Sequence, residues 1–137
     1  MVRSLVCVSN GDPRIPLGAP NCPFQLRDVP LPPCGENDVH VRVYAASLNF
    51  ADALVVQGLY QEKPKLPFVG GGEAAGVVVA VGSKVSALSA GDAVLVLCLR
   101  GFGAFADVIC VPASDAVRFP VPSNVEVLSL NVSVFLT

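Results

Sequence analysis

The chain has 137 residues, 53% apolar and 15% charged, with net charge −2 and a mean hydropathy of +0.62. That length suits one domain, and so apolar a composition excludes a disordered chain. Its nine Lys and Arg are scattered singly and form no basic stripe, which excludes nucleic acid and anionic membrane as partners.

Seven of the twelve prolines fall at positions 13, 16, 20, 23, 30, 32 and 33. Proline lacks a backbone donor, so this stretch is predicted to wrap irregularly around a core, with short strands near residues 5–8 and 24–29. "DVHVRVYAAS" then alternates: Val39, Val41 and Val43 face one way, His40, Arg42 and Tyr44 the other, the signature of a half-buried strand. "NFADALVVQG" reads as a short helix with Asn49 as its N-cap and Gly58 as its stop. "EKPKLPFVGGG" reads as loop, "AGVVVAVG" as a strand, "SKVSALSAGD" as a turn-rich link and "AVLVLCL" as a buried strand. "AFADVICVP" and residues 116–119 supply two more strands. Short strands punctuated by glycine and proline predict a compact, mainly β, barrel-like domain. The tail "VEVLSLNVSVFLT" alternates like a further strand, and unpaired it is an exposed edge.

"VLVLCL" is far shorter than the roughly 20 residues of a bilayer crossing, and no signal segment opens the chain, so the expected compartment is the cytoplasm. Cysteines at 7, 22, 34, 98 and 110 include no C-x-x-C pair, which predicts mostly buried free thiols rather than a disulfide framework or zinc knot.

The stretch most able to carry chemistry is "VGGGEAAG". Gly70, Gly72 and Ala75 formally match the G-x-G-x-x-G/A dinucleotide pattern. That pattern works only between a strand and a helix, and here a proline-broken loop precedes it and valines follow it. A metal needs three or four donors, and His40 is the sole histidine, on the polar face of its strand. The remaining reading is structural: the glycines allow close backbone approach, and Glu73, expected to be partly buried among small apolar neighbours, anchors the turn.

In order and at matching spacing, the chain carries S-L-N-x-x-D (residues 47–52), G-L-Y (58–60), P-x-x-x-G-x-E-x-A-G-x-V (67–78), V-G followed by V (81–85) and G-D-x-V (91–94). With these motifs it resembles the N-terminal catalytic domain of the zinc-independent quinone oxidoreductases, in the medium-chain dehydrogenase/reductase superfamily. The resemblance runs to about residue 122. It implies a GroES-like, partly open β-barrel with one or two short helices over residues 1–122, followed by an atypical tail, 123–137. Zinc-dependent relatives place a cysteine where this chain has Asn49 and a histidine where it has Gly72, and a four-cysteine lobe after Gly91 and Asp92; none is present here, which implies no zinc.

The resemblance further implies that Asn49 lies near a nicotinamide and donates to a substrate carbonyl, and that Tyr60 lines the pocket and stacks on a flat quinone or enone. Leu54 stands where some relatives have another tyrosine. Asp52 and Glu73 are expected to be scaffold residues. The family's α/β nucleotide-binding domain is absent from these 137 residues, so NADPH is expected for a full-length member but not to be held tightly by this chain, which is expected to be inactive alone. The alternative is a stand-alone binding module for a hydrophobic ligand or a protein partner.

Overall fold

The computed structural model describes residues 1–98 and 102–120. Its elements in chain order are β1 (Val2–Cys7), β2 (Phe24–Val29), β3 (Asp38–Ser47), α1 (Phe50–Val56), β4 (Phe68–Val69), β5 (Glu73–Val81), β6 (Ala93–Leu97), β7 (Val108–Pro112) and β8 (Ala116–Arg118), with a 3-10 turn at Ala113–Asp115. The strands form two antiparallel sheets, one in the order β2-β1-β4 and the other β7-β3-β5-β6-β8. Period-two patterning sets the larger sheet: Val39 and Val41 of β3, Val78 of β5 and Val94 and Val96 of β6 are all at most 1% exposed. Leu88, Ala104, Ile109 and Val111 complete this core.

The sheets are stitched together by chain that belongs to neither. Leu5 donates to the Phe105 carbonyl (2.8 Å) and Asp107 to the Arg3 carbonyl (2.9 Å), while Val43 of β3 donates to the Asp107 carbonyl (3.0 Å). Residues 105–107 thus pair with β1 on one side and reach β3 on the other, closing the barrel-like wrap. "AFADVICVP" therefore joins the larger sheet only from Val108 onward, because its first half is taken up by β1.

Two further departures from expectation have the same origin. Phe68 and Val69 form β4 inside the supposed loop by pairing with Cys7 and Val6. β1 itself starts three residues early, at Val2, because β2 pairs along its whole length. The predicted tail strand lies outside the described residues.

Helix α1 is short, and its ends are secured from elsewhere. Gly58 (φ +71°) turns the chain out of the helix, and the Val56 carbonyl accepts from Asn10 Nδ2 and the Gly11 N–H (both 3.1 Å). Val55 and Val56 pack inward. None of the described helices is long and apolar enough to cross a membrane.

Candidate active-site cleft

A cavity of about 630 Å3 opens between α1, the residues after β1 and the glycine stretch. Its walls are apolar: Phe24, Phe68, Phe102 and Phe105 supply rings, and Ile15 and Leu17 supply branched side chains. Phe68 and Phe102 lie with centroids 6.1 Å apart and tilted by 47°, a favourable aromatic arrangement. Asn49, Asp52 and Arg14 are its polar and charged members.

The glycines belong to the packing of this cleft. Gly70 donates to the Leu5 carbonyl (3.2 Å) and accepts from Phe105 N–H (2.9 Å), and the Gly71 carbonyl accepts from Ala104 (3.1 Å). The Phe105 ring lies flat against this seam: a Cβ at Gly71, whose φ is +93°, would come within 2.6 Å of it. Close approach is therefore what the glycines permit, and the object approached is a ring of the same chain.

At the rim, β3 and β5 bring Ser47 and Glu73 into register. Ser47 Oγ donates to Glu73 Oε2 (2.6 Å), and Asn49 Nδ2 donates both to Glu73 Oε2 and to Ser47 Oγ (3.0 Å each). These two donors hold the Glu73 carboxyl below its ordinary value, Ser47 contributing most. Glu73 does anchor, as expected, but it is exposed. The buried carboxylate is Asp52, 6% exposed, which accepts the Asn49 N–H at 2.7 Å from the first turn of α1. Small neighbours in sequence suggested the wrong one; the end of β5, where Glu73 sits, is open to solvent beside Ser47.

The structure brings Asn49 to the cleft. Tyr60 lies past the end of α1, its N–H bonded to the Leu54 carbonyl (3.3 Å), and is not among the residues lining the cavity. Ser47 was missed by sequence reasoning although it belongs to the same S-L-N motif; its i, i+2 spacing to Asn49 at the end of a strand was the available signal. Among the described residues, no group of three or more His, Cys, Asp or Glu is placed to hold a metal. Asn49 and Gly72 supply neither thiolate nor imidazole, which leaves the carboxylates Asp52 and Glu73 short of the three or four donors zinc takes.

Replacing Glu73 with glutamine is expected to change stability by less than about 1 kcal/mol, because the site is exposed. It should shift the Asn49 side-chain NH2 resonances, whose anionic acceptor is lost. In the parent chain those resonances should titrate with a midpoint below the ordinary glutamate range. The corresponding stabilisation is present above that range and lost as pH falls through the lowered pKa. An Asn49 signal indifferent to both changes would refute the pinning.

The profile described as the alcohol dehydrogenase GroES-like domain matches residues 35–122. A quinone oxidoreductase-like protein 2 homolog from Nematostella vectensis is 48% identical over 86 residues, covering 63% of this chain and 23% of that protein. The mitochondrial enoyl-acyl-carrier-protein reductase of Mus musculus is 46% identical over 94 residues, covering 69% and 23%. The crystal structure of Escherichia coli quinone oxidoreductase complexed with NADPH aligns with a TM-score of 0.74 at 30% identity, over 86% of this chain and 33% of that one. The chain thus spans about a quarter of the length of these curated relatives and a third of that structure. The rim motif, the two-sheet wrap and these matches together place the chain in the alcohol dehydrogenase GroES-like domain family of the medium-chain dehydrogenase/reductase superfamily.

Proposed function

We propose that this chain supplies the substrate-side wall of a reductase cleft that accepts a quinone or enone, with NADPH as the expected hydride source of a full-length protein. The observation that carries the reading is the pairing of an aromatic, apolar cavity with one polar group, Asn49, held at its rim by Glu73 and Ser47. Both hydrogens of Asn49 Nδ2 are already engaged. A substrate carbonyl entering the cleft takes the place of Ser47 Oγ as acceptor of one, while Glu73 retains the other and keeps the carboxamide oriented. Tyr60, outside the cavity lining, contacts only a substrate that projects past the mouth.

The described residues do not fit the pyrophosphate of a dinucleotide. Gly70, Gly71 and Gly72 lead into strand β5 rather than into a helix, and the first turn of α1 carries Asp52. Arg14, the one cation among the described residues that line the cavity, is paired with Asp12 through Nε and Nη2 (2.9 and 2.8 Å). That pairing, chiefly its side-chain hydrogen bonds, lowers the Asp12 pKa to about 2. Titration calorimetry of the chain is therefore expected to give a Kd for NADPH weaker than about 100 μM. A mixture of chain, NADPH and 1,4-naphthoquinone should show no turnover above background. The quinone alone should perturb the NMR signals of Asn49 and the cleft phenylalanines. Perturbations confined to other regions would reject the assignment of the cleft.

A second reading, a non-catalytic binding module, draws on Leu48, Phe50 and Leu59, large apolar residues left exposed around α1. A defined complex with a second protein at the size expected for one-to-one assembly favours it; a bare monomer that binds the quinone favours the first.

A further inference from the structure

The five thiols occupy two kinds of environment: Cys7 and Cys98 are buried, while Cys22, Cys34 and Cys110 are only partly covered. Two of the latter meet at β7, the edge strand of the larger sheet. Cys110 is the register partner of His40 on β3, and both side chains reach the strap of residues 32–35. His40 Nε2 donates to the Pro32 carbonyl (3.0 Å), and Cys110 Sγ donates to the Pro33 carbonyl (3.8 Å). The Gly35 backbone in turn favours the Cys110 thiolate, and Cys34 itself lies near enough to disfavour it. That sulfur is therefore flanked by the peptide groups on both sides of Cys34. The Cys34 Sγ itself donates to the Asp38 carbonyl (3.3 Å), two residues before His40 on the same strand. The backbone beside one cysteine is thus already held against the sulfur of the other, the approach that a disulfide requires.

We propose that Cys34 and Cys110 form a reversible intrachain disulfide, making this face a redox-modifiable site whose co-substrate is a low-molecular-weight disulfide such as oxidised glutathione. One cysteine thiolate attacks a glutathione sulfur, breaks its S–S bond and releases one glutathione thiolate. The second cysteine then attacks the mixed disulfide and releases the other glutathione. Two protein thiols are oxidised, one glutathione disulfide is reduced, and the two protons end on the released thiols. The product pins the proline-rich strap to β7. Burial, then the nearby Asp38 and Cys34, raise the Cys110 thiol, so exchange accelerates as pH increases. Cys98, whose pKa burial pushes to about 11, stays reduced.

The test is to incubate the reduced chain with oxidised glutathione at mildly alkaline pH, alkylate the remaining thiols and map the peptides by mass spectrometry. The expected result is two fewer alkylated cysteines and one linked peptide pair containing Cys34 and Cys110, reversed by dithiothreitol. Closing so long a loop should raise Tm by roughly 5–15 °C. Cys34→Ser and Cys110→Ser should each abolish the link, and Cys22→Ser should keep it. Stable glutathione adducts on Cys34 or Cys110 without a link, a link through Cys22, or disulfide-joined dimers would each overturn the proposal. The parent map decides it even where a serine variant folds poorly.

Discussion

Replacing Gly76 with valine is expected to remove more than about 4 kcal/mol of stability and to send the expressed chain to the insoluble fraction. Gly76 lies in β5 opposite Val43, beside the bulge that leaves Tyr44 without a partner. A Cβ there would sit inside the contact radius of the Arg42 carbonyl oxygen and 2.9 Å from both Arg42 C and Val41 Cγ1. None of these atoms is the end of a flexible side chain: two are backbone, and Val41 is fully buried. Relief requires β3 and β5 to part, and both are interior strands of the larger sheet. Gly91 provides the control. It has open space around its missing Cβ but a φ of +95°, so Gly91→Ala carries only the backbone cost, about 1 kcal/mol. Soluble yield and thermal melts of both variants test the pair. A soluble Gly76→Val chain melting within a few degrees of the parent would show that the β3–β5 approach is not obligatory.

That close approach was only partly written in the sequence. The alternation of Val39, Val41 and Val43 gave β3 its full extent, because a period of two is a local property that burial of one face enforces. β4 was illegible: two residues between a proline and three glycines become a strand only because Val6 and Cys7 come alongside them. Residues 104–107 misled for the complementary reason. They continue an apolar alternation, yet their hydrogen-bonding groups are used by β1 and by the Gly70 and Gly71 backbone, a pairing that spans most of the chain. The expectation about cysteines held for their free thiols but not for their burial. Cys7 and Cys98 are buried, but Cys22, Cys34 and Cys110 sit at edges whose coverage depends on the strap and the loop after β1.

The rim of the candidate site was more legible than its walls. Asn49 and Asp52 share one short motif with Ser47, so their joint placement follows from a strand ending three residues before a helix begins. The aromatic wall has no such signature. Phe24, Phe68 and the pair Phe102 and Phe105 come from three separate segments and converge only in the folded chain. Glu73, expected to be partly buried, is exposed for the same reason: sequence neighbours do not say which end of a strand faces solvent.

Replacing Asp52 with alanine is accordingly expected to cost about 2–4 kcal/mol, the second largest effect. The Asp52 carboxylate accepts the Asn49 N–H, and the Gly72 backbone also favours its charged form, so truncation leaves the donor at the helix start without its partner and removes a contact with the glycine seam. Folding nevertheless shifts its ionisation towards the protonated form. Burial raises the Asp52 pKa and the charge of Glu73 adds to that, against the two backbone hydrogen bonds. A carboxyl that holds its proton more tightly folded than unfolded lends more stability when protonated. Stability from this group therefore declines as pH rises from the ordinary aspartate range through the raised pKa. Glu73 runs the other way, so the two carboxyls tilt the acid limb in opposite senses. Asp52→Asn removes one of them. Measured by denaturant melts across pH, the advantage of aspartate over asparagine should be greatest in acid and narrow towards neutrality. An advantage that widens with pH would mean that the hydrogen bonds to the carboxylate outweigh its burial, and Asp52 would then be an anionic anchor in the same sense as Glu73.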